Sequence, residues 1–262
     1  MKGAKMQDLL IKIRKLNEIL KRSAIEDVSF KSLSKEITDI LDASCYVVDM
    51  NGTILAYETS SKYDCSINNE SLESVSSFDE EFNSQLLSYE DTEPNMYEAN
   101  PKCTYGEKGD CIFKDRYLTV IPILGLGKRL GSFVLSKYGE EFTMDDIILC
   151  EYASAIIAME MIKNEEVNYK NTIAQKTTVK MAFSTLSYSE LSAIKLIIRE
   201  LEGDEGLIVA SVIAEEVGIT RSVISNALRK LESAGVIQTR SLGMKGTYIK
   251  ITNPFVTEEV EN

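Results

Sequence analysis

The chain has 262 residues, 44% of them hydrophobic, and carries a formal net charge of −12 with no histidine. That length favours two domains and the apolar content suffices for ordinary cores. The missing imidazole excludes Ser-His-Asp and Cys-His catalysis and every histidine-ligated metal site. The five cysteines (Cys45, Cys65, Cys103, Cys111 and Cys150) form no CxxC pair, so no metal is expected at them. Free thiols, with no secretion signal and no apolar run of bilayer length, lead us to expect a cytoplasmic protein without a membrane partner.

Leu9, Ile13, Leu16 and Leu20 recur at helical spacing, and Phe30, Leu33, Ile37, Ile40 and Leu41 mark a second amphipathic helix. The period then changes. CYVVDM and TILAYE are β-rich runs flanking Asn51-Gly52, a strong hairpin signal. Residues 60–112 are polar and weakly patterned, interrupted by Pro94 and Pro101, and read as one long irregular segment of the kind that closes over a small molecule. Within it, Asp79, Glu80 and Glu81 would be the carboxylates of a GAF-domain enzyme, but such charge runs are ordinarily solvated and no catalytic residue is expected. Two more strands follow, RYLTVIPIL and GSFVLSK, joined by Gly125–Gly131. Two helices, an antiparallel sheet and a long segment over it describe a GAF- or PAS-like sensor across residues 1–161.

Thr143 is placed to cap a helix whose first turn holds Asp145 and Asp146. Neither Pro nor Gly interrupts the stretch 140–202. Ile148, Tyr152, Ile156, Met159 and Ile162 mark a packed first half, and the polar remainder, 162–184, reads as an exposed helical linker offering a dimer surface. Ser187 and Glu190 stand at capping-box spacing, and Gly203 ends the helix they begin.

ASVIAEEVGITRSVISNALRKLESAG reads as helix, turn, helix, with the motif at 209–228. Ala214 lets two helices cross closely, Gly218 takes the left-handed turn, and Thr220 is placed to cap the second helix. Ile213, Val217, Ile219, Val223, Ile224, Leu228 and Leu231 form its buried face, and Gly235 ends it. VIQTRS and TYIKIT around the tip LGMKG predict a two-stranded wing. The fold class is therefore α+β: a GAF-like sensor, a long connecting helix and a C-terminal winged helix-turn-helix over 185–262. Such a motif sets its second helix in the DNA major groove. Between Ile219 and Thr252 lie Arg221, Arg229, Lys230, Arg240, Lys245 and Lys250 against a single carboxylate, Glu232. The expected DNA contacts are Ser211, Thr220, Arg221, Ser222, Ser225, Asn226 and Arg229, with Arg240, Lys245 and Lys250 extending the patch through the wing.

The stretch from Ala210 to Lys250 resembles the DNA-binding region of the CodY family, nutrient-sensing pleiotropic repressors of low-GC Gram-positive bacteria. TLSYSELSAI and KRLGSFVLSKYGEEFTMDDIILCEYASAIIAMEM are similar to the same family's pattern. The similarity covers nearly the whole chain and is weakest between Glu58 and Lys114. It implies a GAF domain that binds isoleucine, valine or leucine, GTP as second effector, a homodimer or higher oligomer, and an A/T-rich inverted-repeat operator in double-stranded DNA.

The departures fall where effectors would bind. The family's basic turn SRRGK, implicated in GTP contact, is matched by Asp49, Met50, Asn51, Gly52 and Thr53. The arginine that holds the amino-acid carboxylate is matched by Ile67, and residues 57–101 contain no arginine. The family's TAFP-like segment corresponds to Cys103, Thr104, Tyr105 and Gly106. Lys62, Lys102 and Arg116 are the cations left to substitute. A carboxylate buried without a partner is costly, so weak or absent binding of both effectors is expected. The alternative is a ligand-independent or differently liganded regulator that uses its GAF domain for dimerisation.

Overall fold

The structure, a computed structural model, describes residues 2–23, 29–63, 77–102, 111–201 and 203–261. It divides into two compact units, Met1–Glu165 and Glu166–Asn262.

In the first unit, helices α1 (Lys2–Ser23) and α2 (Phe30–Leu41) precede an antiparallel sheet. Its strands are β1 (Ser44–Asp49), β2 (Ile54–Glu58), β3 (Glu93–Glu98), β4 (Arg116–Gly125) and β5 (Lys128–Tyr138), in the order β2-β1-β5-β4-β3. Strand alternation sorts the side chains onto two faces. Cys45, Val47, Ile121, Ile123, Phe133 and Leu135 pack with Leu16 and Ile19 of α1, Leu33 and Ile37 of α2, and Leu149, Cys150, Ile156 and Ile157 of the long helix α4 (Met144–Ser184). Each aliphatic or phenylalanine side chain among them contributes about 1.5–3 kcal/mol by leaving water. The opposite face carries Tyr46, Val48, Leu118, Val120 and Val134, covered by Phe78 and by Leu86 of α3 (Glu80–Ser88).

Helix α3 and strand β3 lie inside the segment read as irregular. Helix α3 buries only Asn83 and Leu86, too few positions to show a period. Its cap is Asp79, which accepts a hydrogen bond from the Phe82 amide at 2.8 Å, and Glu80 and Glu81 occupy its first turn. The carboxylate run is thus a helix start at the positive end of the peptide dipole. Strand β3 is an edge strand, which tolerates Pro94, and is bulged at Asn95 (φ 56°). Strands β4 and β5 meet in a tight turn at Leu126 and Gly127, both with positive φ, rather than across a glycine-flanked loop. Gly131 lies within β5, where a Cβ would collide with the Val48 carbonyl oxygen.

Helix α4 starts as its sequence suggests. Thr143 Oγ1 accepts from the Asp146 amide at 3.2 Å, and Asp146 Oδ2 accepts from the Thr143 amide at 3.0 Å and from the buried Lys137 ammonium at 3.1 Å. Its second half is only partly the exposed linker expected at 162–184. Residues 165–175 are exposed, but Val179, Ala182 and Phe183 are buried in the core of the second unit. Their i, i+3, i+4 spacing gives even this polar stretch one apolar face.

The second unit contains α5 (Tyr188–Glu200), β6 (Glu205–Ile208), α6 (Ala210–Val217), α7 (Arg221–Ser233), β7 (Ile237–Ser241), β8 (Thr247–Ile251) and α8 (Phe255–Glu261). The capping box of Ser187 and Glu190 forms in both directions. Ile194, Ile197, Ile213, Ile224, Ala227, Leu231, Ile249 and Val256 fill the core. The wing is three-stranded, β6-β8-β7, where two strands were expected. Strand β6 escapes sequence reading because EGLI is short and holds a single buried side chain, Ile208.

Candidate nucleic-acid interface and sensor site

Ile213 and Ala214 of α6 pack against Ile224, Ala227, Leu228 and Leu231 of α7. Between the helices Gly218 takes φ 72°, with open space around the position of a Cβ, so the demand for glycine there comes from backbone conformation alone. With its apolar stripe turned inward, α7 exposes Arg221, Ser222, Ser225, Asn226 and Arg229. Arg221, Ser225 and Arg229 follow one another at i, i+4 along a single ridge.

Thr220 occupies the cap position of α7 but does not cap it. Its hydroxyl is paired with the Ser222 hydroxyl at 2.8 Å, a local competitor for the same oxygen. Val209 stands at the cap of α6 and has no side-chain acceptor to offer. In the first turns the Val212 and Val223 amides bond instead to the Val209 and Thr220 carbonyls, at 2.9 and 3.0 Å.

Gly243 (φ 63°) and Gly246 (φ 117°) fold the wing tip, and Arg240 and Lys245 are exposed on the wing. A groove of about 850 Å³ opens between α7 and the wing. Its lining includes Ser211 of α6, Arg221, Ser225, Arg229 and Glu232 of α7, and Thr239 and Ser241 of β7. Thr220, Ser222, Asn226, Arg240 and Lys245 are exposed but do not line this groove.

Two of the six cations in this region are already satisfied. Lys230 Nζ lies 2.7 Å from Glu190 Oε2 and donates to the Thr185 carbonyl at 3.0 Å. Lys230, with the Ser187 amide, holds the Glu190 carboxyl below the usual carboxylate range. Lys250 sits opposite Glu205 across β8 and β6, 3.6 Å from its carboxylate, which offsets its charge locally. Arg221, Arg229, Arg240 and Lys245 have no carboxylate within ion-pair distance among the described residues. The lone acid, Glu232, uses Oε1 to accept from the Thr239 amide at 2.8 Å and the Thr239 hydroxyl at 2.9 Å.

In the first unit the hairpin forms, but with a longer loop than Asn51-Gly52 alone would give. Val48 pairs with Ile54, and Asp49 Oδ1 accepts from the Asn51 and Thr53 amides, each at 2.8 Å. The carboxylate that replaces the family's basic turn therefore closes the loop from within. Lys62 is ion-paired with Asp42 and reaches Glu140 at 3.8 Å. Arg116 bonds to Glu98 Oε2 through Nε at 3.0 Å and Nη2 at 2.5 Å, across β4 and β3. Lys102 is exposed. Ile67, Cys103, Thr104 and Tyr105 lie outside the described residues.

Sequence reading missed Arg129. Its guanidinium donates to the carbonyls of Leu86, Leu87, Tyr89 and Gly131 and to Ser132 Oγ, capping the C-terminal end of α3. It also missed the cluster of Tyr63, Phe113 and Tyr138, whose rings lie 5.0–5.9 Å apart, with the Tyr63 hydroxyl donating to the Tyr138 carbonyl at 3.1 Å. Burial raises the Tyr138 phenol well above its ordinary value. These partners are too far apart in sequence to leave a local pattern. Among the described residues, no group of acidic or thiol side chains could hold a metal ion, and no helix is long and apolar enough to cross a membrane.

The family model for the CodY GAF-like domain matches residues 8–185, and that for the CodY helix-turn-helix domain matches residues 204–262. Proteins named global transcriptional regulator CodY from Clostridium botulinum, Clostridium perfringens and Clostridium kluyveri are each 43% identical over 256 residues, covering 98% of this chain and 99% of theirs. A solved structure of the cofactor binding GAF domain of the nutrient sensor CodY from Clostridium difficile is 29% identical. That match covers 58% of this chain and 96% of that one, with a TM-score of 0.39.

Proposed function

We propose the following activity from the premise that this chain belongs to the CodY family of global transcriptional regulators. It is a cytoplasmic repressor that binds double-stranded DNA through α7 and the wing. As a homodimer, it reads an A/T-rich inverted repeat with two such faces. Arg221 and the residues near the start of α7 meet base edges, and Arg240 and Lys245 meet phosphates. The observation that carries this reading is the sorting of charge. Arg221 and Arg229 line the groove, Arg240 and Lys245 are exposed on the wing, and none of the four has a carboxylate at ion-pair distance among the described residues, while Lys230, Lys250 and Glu232 have partners within the unit. An acidic chain needs such a local patch to hold a polyanion.

A small molecule bound to the first unit shifts the equilibrium between forms of different DNA affinity. Neither isoleucine nor GTP is held in the family's usual manner. Asp49 sits where GTP would need cations. Lys62 and Arg116, nearest in type to the missing arginine, are engaged by Asp42, Glu140 and Glu98. These pairs favour a differently liganded or ligand-independent sensor over an isoleucine sensor.

Two measurements test the proposal. Binding of the full chain to an A/T-rich inverted repeat is compared with a scrambled duplex, and equal affinity refutes the operator reading. Calorimetric titration with isoleucine, valine, leucine and GTP is expected to give weak or no heats. Without its bidentate partner the amino acid loses roughly ten- to a hundredfold in affinity. Tight isoleucine binding overturns the effector half, and repeating the titration with Arg116→Ala shows whether that cation has been recruited.

A further inference from the structure

A carboxylate in a groove built to face DNA is a liability, because it repels the phosphates that the neighbouring arginines attract. Glu232 is such a carboxylate. It lines the groove together with Arg221, Ser225 and Arg229, and it lies three residues after Arg229 in the last turn of α7. Its Oε1 accepts both the amide and the hydroxyl of Thr239 on β7, which also lines the groove. Thr239 immediately precedes Arg240 and pairs with Ile249 in the wing sheet. Among the described residues, this two-pronged contact ties the recognition helix to the wing at the groove, beside the buried helix–strand packing.

We infer that Glu232 is a positioning residue for DNA recognition: it fixes the wing cations in register with the cations of α7, at a cost in raw attraction for DNA. This rests on the DNA-binding reading above. An oriented pair of binding elements discriminates between sequences only if both meet the duplex at once. With the clamp removed, the cations remain but their mutual spacing loosens. Attraction to any duplex then rises because a negative charge is gone, and discrimination falls because the register is lost.

The test uses the full-length chain. A preferred duplex is first selected from a random library by the wild-type protein, and affinities for it and for a random duplex are then measured at fixed salt. Glu232→Ala is expected to bind the random duplex more tightly than wild type, while its preference for the selected duplex falls roughly tenfold. Glu232→Gln keeps an acceptor oxygen for Thr239 while losing the charge. It is expected to gain the same random affinity and retain most of the preference. Thr239→Val, which keeps the backbone amide and loses the hydroxyl, is expected to fall between wild type and Glu232→Ala.

A residue that only stabilises the fold lowers the melting midpoint and leaves the preference unmoved, and that result overturns the inference. Equal loss of preference in Glu232→Gln and Glu232→Ala also overturns it, because charge rather than positioning would then be responsible. If selection yields no preferred duplex, the DNA-binding reading fails and the inference with it. A preferred duplex with an unaltered preference in Glu232→Ala rejects the inference alone.

Discussion

The pairing of Lys230 with Glu190 and of Lys250 with Glu205 makes salt dependence a quantitative test. Each phosphate neutralised by a cation releases a counterion, so log affinity falls with log salt at about −0.9 per contact. If, on a random duplex that offers Arg221 no cognate base edge, Arg221, Arg229, Arg240 and Lys245 each meet one phosphate, the slope per bound chain is about −3.6. If all six cations of the segment took part, it would be about −5.4. Raising monovalent salt from about 50 to about 200 mM then weakens binding by about 150-fold in the first case and about 1800-fold in the second. Fluorescence anisotropy on a labelled random duplex measures this directly. Lys245→Ala is expected to reduce the slope by about 0.9, whereas Lys230→Ala and Lys250→Ala leave it unchanged. A wild-type slope near −5.4, or an equal effect of Lys250→Ala and Lys245→Ala, refutes the division into paired and unpaired cations.

Three further outcomes are expected. Gly218→Val is expected to destabilise the second unit by roughly 1–2 kcal/mol or more, read as a lowered melting midpoint, while Gly218→Asn costs less because asparagine tolerates the left-handed region. Arg129→Met orphans the carbonyls at the end of α3 and is expected to cost about 2 kcal/mol locally, seen as faster hydrogen exchange over residues 80–89. Burial pushes the Asp146 carboxyl up, but the Thr143 amide and the Lys137 ammonium together hold it below the usual range. A depressed carboxyl contributes stability that is present above its unfolded pKa of about 4 and is lost as pH falls through the folded value. Asp146→Asn is therefore expected to lower the midpoint at neutral pH, where Lys137 loses its partner, and to flatten the acid limb of the stability profile below about pH 4.

The recognition helix, the Gly218 turn, the capping box of Ser187 and Glu190 and the wing tip were legible because each is written within a few consecutive residues. Apolar spacing at 224, 228 and 231 fixes which face of α7 turns inward, and the exposed set follows from it. Which cations remain available was not legible. Glu190 precedes Lys230 by 40 positions, and Glu205 meets Lys250 only once β6 pairs with β8. Helix α3 and strand β3 were hidden for a different reason: one buries two side chains, and the other is an edge strand broken by a bulge. Thr220 misled because capping and hydroxyl pairing with Ser222 draw on the same oxygen, and sequence does not say which wins. In the sensor unit, the loss of the basic turn was visible, but the use of Asp49 to close its own loop was not.

The buried thiols Cys45 and Cys150 have a practical use. Both are fully enclosed between the sheet and the helices of the first unit. Burial pushes the Cys45 thiol up to about 11, so the reactive thiolate is scarcer by roughly a hundredfold even where a reagent arrives. Alkylation of this pair therefore counts openings of the core rather than collisions with the reagent. The unit carries its own clock. A metabolite that tightens the core slows it, and candidate effectors can be ranked by that delay without any knowledge of the operator.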